Sequence, residues 1–150
     1  MGISLEIFTD KLAESGQTLI RRAYEEARSR NDRELTPYHA LRAFSKTESA
    51  LFDQLMNNLT LDRAAVLESV SEKPKQSVPQ NDAMKISREF SELMMAGLMY
   101  ARENGRRLIE STDILYALFA DKRGSIVKLF RQLGTDQETV FAHIRDLIGQ

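Results

Sequence analysis

Residues 35–44 read LTPYHALRAF, and 74 positions further on residues 109–118 read IESTDILYAL. Each stretch begins on an aliphatic residue, crosses a short polar segment and enters an apolar run at helical spacing, which is the pattern of a helix start. Thr36 is a favoured N-cap type and Pro37 suits the first helical position, where its missing N–H costs nothing; Ser111 is the expected cap in the second stretch. Extended upstream without gaps, the same offset aligns Lys11 with Lys85, Leu12 with Ile86, Leu19 with Leu93, Ala27 with Ala101 and Arg28 with Arg102. Downstream it aligns Leu41 with Leu115, Leu55 with Leu129, Asp62 with Asp136, Val66 with Val140 and Val70 with Ile144. Shared amphipathic composition produces scattered matches, but not one offset held for about sixty residues, so the chain carries an internal duplication.

Each copy reads as four helices, which makes the expected fold all-α: two pseudosymmetric four-helix repeats, about eight helices in all. The first helix spans about Leu5 to Arg30, with Phe8, Leu12, Leu19, Ala23 and Ala27 on one face, and ends at Asn31 and Asp32. Its counterpart starts after Asn81 or Asp82, uses Ile86, Phe90, Leu93, Gly97 and Ala101, and stops at Asn104 and Gly105, where a left-handed residue fits. Third helices are expected at about 47–58 and 124–133, the latter closed by Gly134. Fourth helices begin near Asp62 and behind Thr135, whose spacing to Glu138 matches a capping box. Between the copies, SEKPKQSVPQND at 71–82 has two prolines and no periodic apolar face, and reads as an exposed linker. The expected organisation is one domain over residues 1–150, with repeat one at about 5–72, a linker at about 73–81 and repeat two at about 82–150.

Composition fits this outline and narrows the function. With 150 residues, 42% hydrophobic and 29% charged, the chain can bury its own core without staples. The absence of cysteine and the presence of only two histidines exclude disulfide frameworks and thiolate metal sites, and agree with a reducing, cytoplasmic setting. LMMAGLMYA at 93–101 is the longest apolar-type run, far short of the roughly 20 residues of a membrane-spanning helix. The start, MGISLEIF, has no basic leader or signal-type core, and Glu6 stands where a myristoylation signal wants Ser or Thr, so an untargeted N-terminus is expected. Lys and Arg number 21 against 22 Asp and Glu, leaving no global attraction to phosphate backbones. Neither nucleic acid nor membrane is an expected partner.

A long helix with alanines four apart near its end, then an aliphatic residue, a turn and TPYHALRAF, resembles the N-terminal repeat domain of Clp-type AAA+ unfoldases. The resemblance covers about residues 5–148, and Pro37 and His39 are most similar to the ClpB type. It implies two pseudosymmetric halves with no catalysis or cofactor of their own. It also implies docking of unfolded or aggregated client proteins, or of an adaptor, for a separate AAA+ ATPase ring, and a monomer when separated from that ring. An alternative is a free-standing Clp N-type protein that modulates a chaperone or protease complex. From a different class, the alternative is a helical regulator that binds nucleic acid through its arginine clusters. Two departures stand out. The positions where the ClpC-type branch carries Glu for reading phosphorylated arginine hold Tyr38 and Thr112, so that recognition is not implied here. Thr9 lies about one turn earlier than the family's Thr near the start of the first helix.

Motifs for chemistry are missing. No G-x-x-x-x-G-K-[ST] loop and no G-x-S-x-G elbow occurs. His39 and His143 stand singly on different helices and read as structural, His39 packing in the first turn of its helix with one hydrogen bond. Arg21, Arg22, Arg102, Arg106 and Arg107 read as solvated or dipole-complementing surface. No catalytic, metal or cofactor residue is expected.

Function is sought instead where the copies disagree. Met95 stands opposite Arg21, Met99 opposite Glu25, Tyr100 opposite Glu26, Leu108 opposite Glu34, Tyr116 opposite Arg42 and Val127 opposite Asp53; in copy one, Tyr38 and Leu61 face Thr112 and Thr135. An apolar residue matched to a charged one marks a surface position put to another use. Methionine and tyrosine suit loosely specified apolar recognition, through an adaptable thioether and a ring that carries a hydroxyl. The candidate protein-binding set is therefore Met95, Met99, Tyr100, Tyr116, Val127, Tyr38 and Leu61. Two readings stay open: these residues seal the two halves together, or they line a groove between them for hydrophobic client segments.

Overall fold

The long first helix expected from Leu5 onward is broken, and the break explains how the two copies are joined. A computed structural model of the chain describes residues 5–70 and 85–149. The first copy contains a 3-10 helix (Leu5–Lys11), α1 (Glu14–Ser29), β1 (Glu34–Leu35), α2 (Pro37–Thr47), α3 (Ser49–Asn58) and α4 (Arg63–Ser69). The second contains β2 (Lys85–Ile86), α5 (Arg88–Glu103), α6 (Ser111–Leu118), α7 (Ser125–Gln132) and α8 (Gln137–Ile148). The architecture is the expected all-α double repeat. The expected linker lies outside the described residues.

Leu12 and Ile86 are equivalent by the duplication, and both are extended where a helix was expected. Each forms a parallel pairing with the other copy: Leu12 with Ile109, and Ile86 with Leu35. The Ala13 N–H donates to the Ile109 carbonyl at 2.9 Å, and the Ser87 N–H donates to the Leu35 carbonyl at 2.8 Å. The segment before each long helix is thus hydrogen-bonded to the segment before the second helix of the opposite repeat. Backbone groups that a longer helix would have satisfied locally are satisfied across the pseudo-twofold. Leu12, Leu35, Ile86 and Ile109 are all buried there. Gly16 makes room for the crossing strand, since a Cβ at that position would stand 2.3 Å from the Ile109 carbonyl oxygen.

Caps and turns obey the same offset. Thr36 caps α2 with Pro37 first in the helix, as expected. In the second copy the cap is Glu110, the residue equivalent to Thr36, and Ser111 is instead the first helical residue. Asp136, not Thr135, caps α8, its carboxylate accepting from the Thr139 N–H at 2.8 Å; the equivalent Asp62 accepts from Ala64 at 3.3 Å. Both caps stand where the offset of 74 places the equivalents of Thr36 and Asp62. Backbone with positive φ falls at Asn31 (59°) and Gly105 (78°), and at Thr60 (58°) and Gly134 (100°), again two equivalent pairs that end α1 and α5, and α3 and α7.

The core is continuous through both copies. α1 packs on α2 and α5 on α6 within each repeat; α2 meets α6 across the pseudo-twofold, flanked by α1 on α6 and α5 on α2. Phe8, Phe44, Phe52, Phe90, Phe119 and Phe130 are fully buried, each contributing about 1.5–3 kcal/mol of transfer free energy. Symmetry lapses at the periphery, where α8 packs on α3 of the opposite repeat as well as on α6 and α7.

Candidate functional site

Repeat two carries a column of three rings. Tyr100 on α5 stacks on Tyr116 of α6 with centroids 3.8 Å apart and planes 16° apart, and Tyr116 stacks on Phe141 of α8 at 4.7 Å and 20°. Burial, and then the neighbouring Tyr116, push the Tyr100 phenol above its ordinary range. Met99, next in the chain, is 59% exposed, and Met95, one turn back on α5, is 48% exposed. Leu108, on the segment that leads into α6, is exposed as well.

The other predicted residues are placed differently. Val127 is buried in the core, because α7 packs against α2 and α8; it does not line a surface, although its equivalent Asp53 is exposed and pairs with Arg63 at 2.5 Å. Leu61 is partly buried against the core. Tyr38 is exposed at the start of α2 and lines a separate groove between the copies. Phe141 completes the ring column but gave no mismatch, since its equivalent is the equally apolar Leu67.

At the position of the rings, repeat one holds charges. Glu26 and Arg42, equivalent to Tyr100 and Tyr116, form an ion pair in which the Arg42 Nε donates to Glu26 Oε2 at 3.0 Å; Lys46 binds the other carboxylate oxygen. Burial alone would raise the Glu26 carboxyl, but the hydrogen bonds and charges of Lys46 and Arg42 outweigh it and hold the group below its usual range.

A second equivalent pair exchanges its chemistry as well. In repeat one, His39 Nδ1 accepts from the Thr36 N–H at 2.9 Å, which places the proton on Nε2 for donation to Asp32 Oδ2 at 2.5 Å. Both ring nitrogens are engaged, one more than expected, and no free imidazole base remains. In repeat two the equivalent residues are Asp113 and Arg106: Asp113 Oδ2 accepts from the Glu110 N–H at 2.8 Å and from the Arg106 guanidinium. Arg106 is therefore a partner of a fully buried carboxylate and not solvated surface, and its hydrogen bond to Asp113 raises its affinity for the proton still further. One buried oxygen of Asp32 and one of Asp113 have no hydrogen-bond partner among the described residues. This exchange was legible at the same offset, as an acid facing a base at one position and a histidine facing an acid at the other.

Among the described residues, no three His, Cys, Asp or Glu side chains converge on a metal site, and no helix is long and apolar enough to cross a membrane.

Comparison with known proteins fits the geometry. A model of the Clp repeat (R) N-terminal domain matches residues 8–133. No curated protein matches the sequence. Among solved structures, the Hsp104 N-terminal domain from Candida albicans superimposes with a TM-score of 0.78 at 21% identity, covering 93% of this chain and 92% of that one. The N-domain of ClpV from Vibrio cholerae gives 0.72 at 19% identity, covering 99% and 92%. A ClpV N-domain in complex with a VipB peptide gives 0.74 at 17% identity, covering 99% and 94%.

Proposed function

This chain belongs to the Clp repeat (R) N-terminal domain family, and from that premise we propose that it is a non-catalytic docking domain that presents unfolded clients or an adaptor to an AAA+ unfoldase ring, in the same chain or in another. The observation that carries this reading is the exposed Met95–Met99 ridge on α5, the helix that also carries Tyr100 of the ring column, where the twin repeat keeps an ion cluster. Lone exposed apolar residues are ordinary, but two methionines one turn apart on one helix make an adaptable apolar ridge. The ClpV N-domain bound to a VipB peptide shows that this fold can hold a peptide, and supports assigning the same kind of task here. Such binding is weak and tolerant of sequence, because methionine adapts its shape to many partners.

The test is the double variant Met95→Glu with Met99→Glu. Both side chains are exposed, so the fold should persist by circular dichroism. Affinity for a permanently unfolded model protein, read by fluorescence anisotropy, should fall about tenfold. Unchanged affinity would remove the ridge from the reading.

A further inference from the structure

A groove of about 860 Å³ lies between the repeats and differs in character from the ring column. The second repeat lines it with Arg123 and Lys128, both exposed and neither engaged in an ion pair among the described residues. The first repeat adds Arg42 and the exposed ring of Tyr38, and the largely buried Val70 and the partly buried Leu129 of the second repeat form its apolar floor. Its volume is that of a ligand-binding cleft.

The duplication provides an internal control for these charges. The equivalents of Arg123, Lys128 and Arg42 are Ser49, Gln54 and Tyr116, so the scaffold does not require cations at these positions. Nor do they stabilise α7. Arg123 precedes that helix and Lys128 lies near its first turn, where the dipole favours anions, and the Ser125 N–H is already satisfied by Glu89 at 2.7 Å. Arg42 is held by its ion pair with Glu26, but Arg123 and Lys128 are cations that the fold neither needs nor rewards, and they point to something outside it.

We propose that this groove binds an acidic segment of a partner polypeptide, with carboxylates on Arg123 and Lys128 and apolar side chains against Val70, Leu129 and Tyr38. A polypeptide fits better than a nucleic acid because the groove is of mixed charge: Arg30, Arg33, Asp32, Glu34 and Glu89 alternate along it, and Asp32 is already engaged by His39 and Arg30. A continuous phosphate backbone would meet those acids at every step, and the chain's net charge of -1 adds no long-range attraction. A peptide alternates its charges with neutral groups and brings N–H donors of its own.

The experiment titrates the full chain against a labelled peptide of alternating Glu and Leu, with a Lys and Leu peptide as the control. The acidic peptide should bind at low salt, weaken as ionic strength rises, and lose about tenfold or more in affinity with Arg123→Glu and Lys128→Glu together. The milder Arg123→Gln and Lys128→Gln pair should fall in between. Met95→Glu with Met99→Glu should leave this binding unchanged, which separates the groove from the ridge. Four results would each overturn the proposal: no binding, equal binding of the Lys peptide, unaltered binding by the charge-reversed chain, or displacement of the peptide more readily by inorganic phosphate or single-stranded DNA than by unlabelled peptide.

Discussion

Between the first and second helices of repeat one stands a cluster of ions, Glu26 with Arg42 and Lys46; at the same place in repeat two stands a column of rings, Tyr100 with Tyr116 and Phe141. One backbone arrangement therefore tolerates two incompatible ways of filling a half-buried space. The Asp32–His39 and Arg106–Asp113 pairs teach the same lesson with polarity reversed. What duplication preserves here is the position of a contact and the hydrogen bond that caps the following helix. The chemistry that performs these tasks is free to diverge, and the divergence is what makes the two faces different.

The comparison can be tested first where the copies are most alike. Leu35→Ala and Ile109→Ala remove equivalent, fully buried side chains, and each should cost about 2–5 kcal/mol in urea unfolding, the two values agreeing closely. A wide gap between them would show that the crossed pairings are unequal despite their matching geometry. Gly16→Ala has no such twin, because Phe90 is its equivalent; forcing a Cβ against the Ile109 carbonyl should cost about 1–3 kcal/mol.

The exchanged pairs come next. Asp113→Ala leaves both Arg106 and the Glu110 N–H without their acceptor and should cost about 2–4 kcal/mol, more than Asp32→Ala, after which His39 keeps its bond to Thr36. Writing repeat one's chemistry into repeat two, with Arg106→Asp and Asp113→His together, should recover about 1 kcal/mol or more relative to the sum of the single changes. Simple additivity would mean that the two pairs are not interchangeable.

The smallest effect is a difference in pH response. The native carboxyl of Glu26 lies below its unfolded range, so its contribution is complete above that range and is lost as pH falls through the lowered native value. The native phenol of Tyr100 lies above its unfolded range, so its contribution is complete below that range and is lost as pH rises through the raised native value. Glu26→Gln should flatten the acid limb of a stability profile and Tyr100→Phe the alkaline limb, each leaving the other limb in place.

The sequence was a good guide wherever the offset was followed to the residue. Helix number, the stops at Gly105 and Gly134 and the Thr36 cap were all legible. The caps at Glu110 and Asp136 stand at the positions equivalent to Thr36 and Asp62; Ser111 is a more favoured cap type than Glu110, and the spacing of Thr135 to Glu138 imitates a capping box although Asp136 is as favoured a cap. The helix break at Leu12 was not legible, since an extended residue paired with a strand distant in sequence leaves the apolar periodicity intact. Val127 is buried for a related reason: a mismatch marks a surface only where the surroundings are equal, and across the pseudo-twofold α7 meets α2 whereas α3 meets α8, which are not equivalent helices. Tyr100 and Tyr116 were found because ring faced charge, whereas Phe141 was hidden by an apolar twin.

The crossed bridge between Leu12 and Ile109 also governs how the molecule comes into being. On a ribosome Leu12 must wait without its partner until residue 109 has been added and has emerged. Neither half can reach its final form ahead of the other, and a nascent chain stalled midway would present an open edge to chaperones.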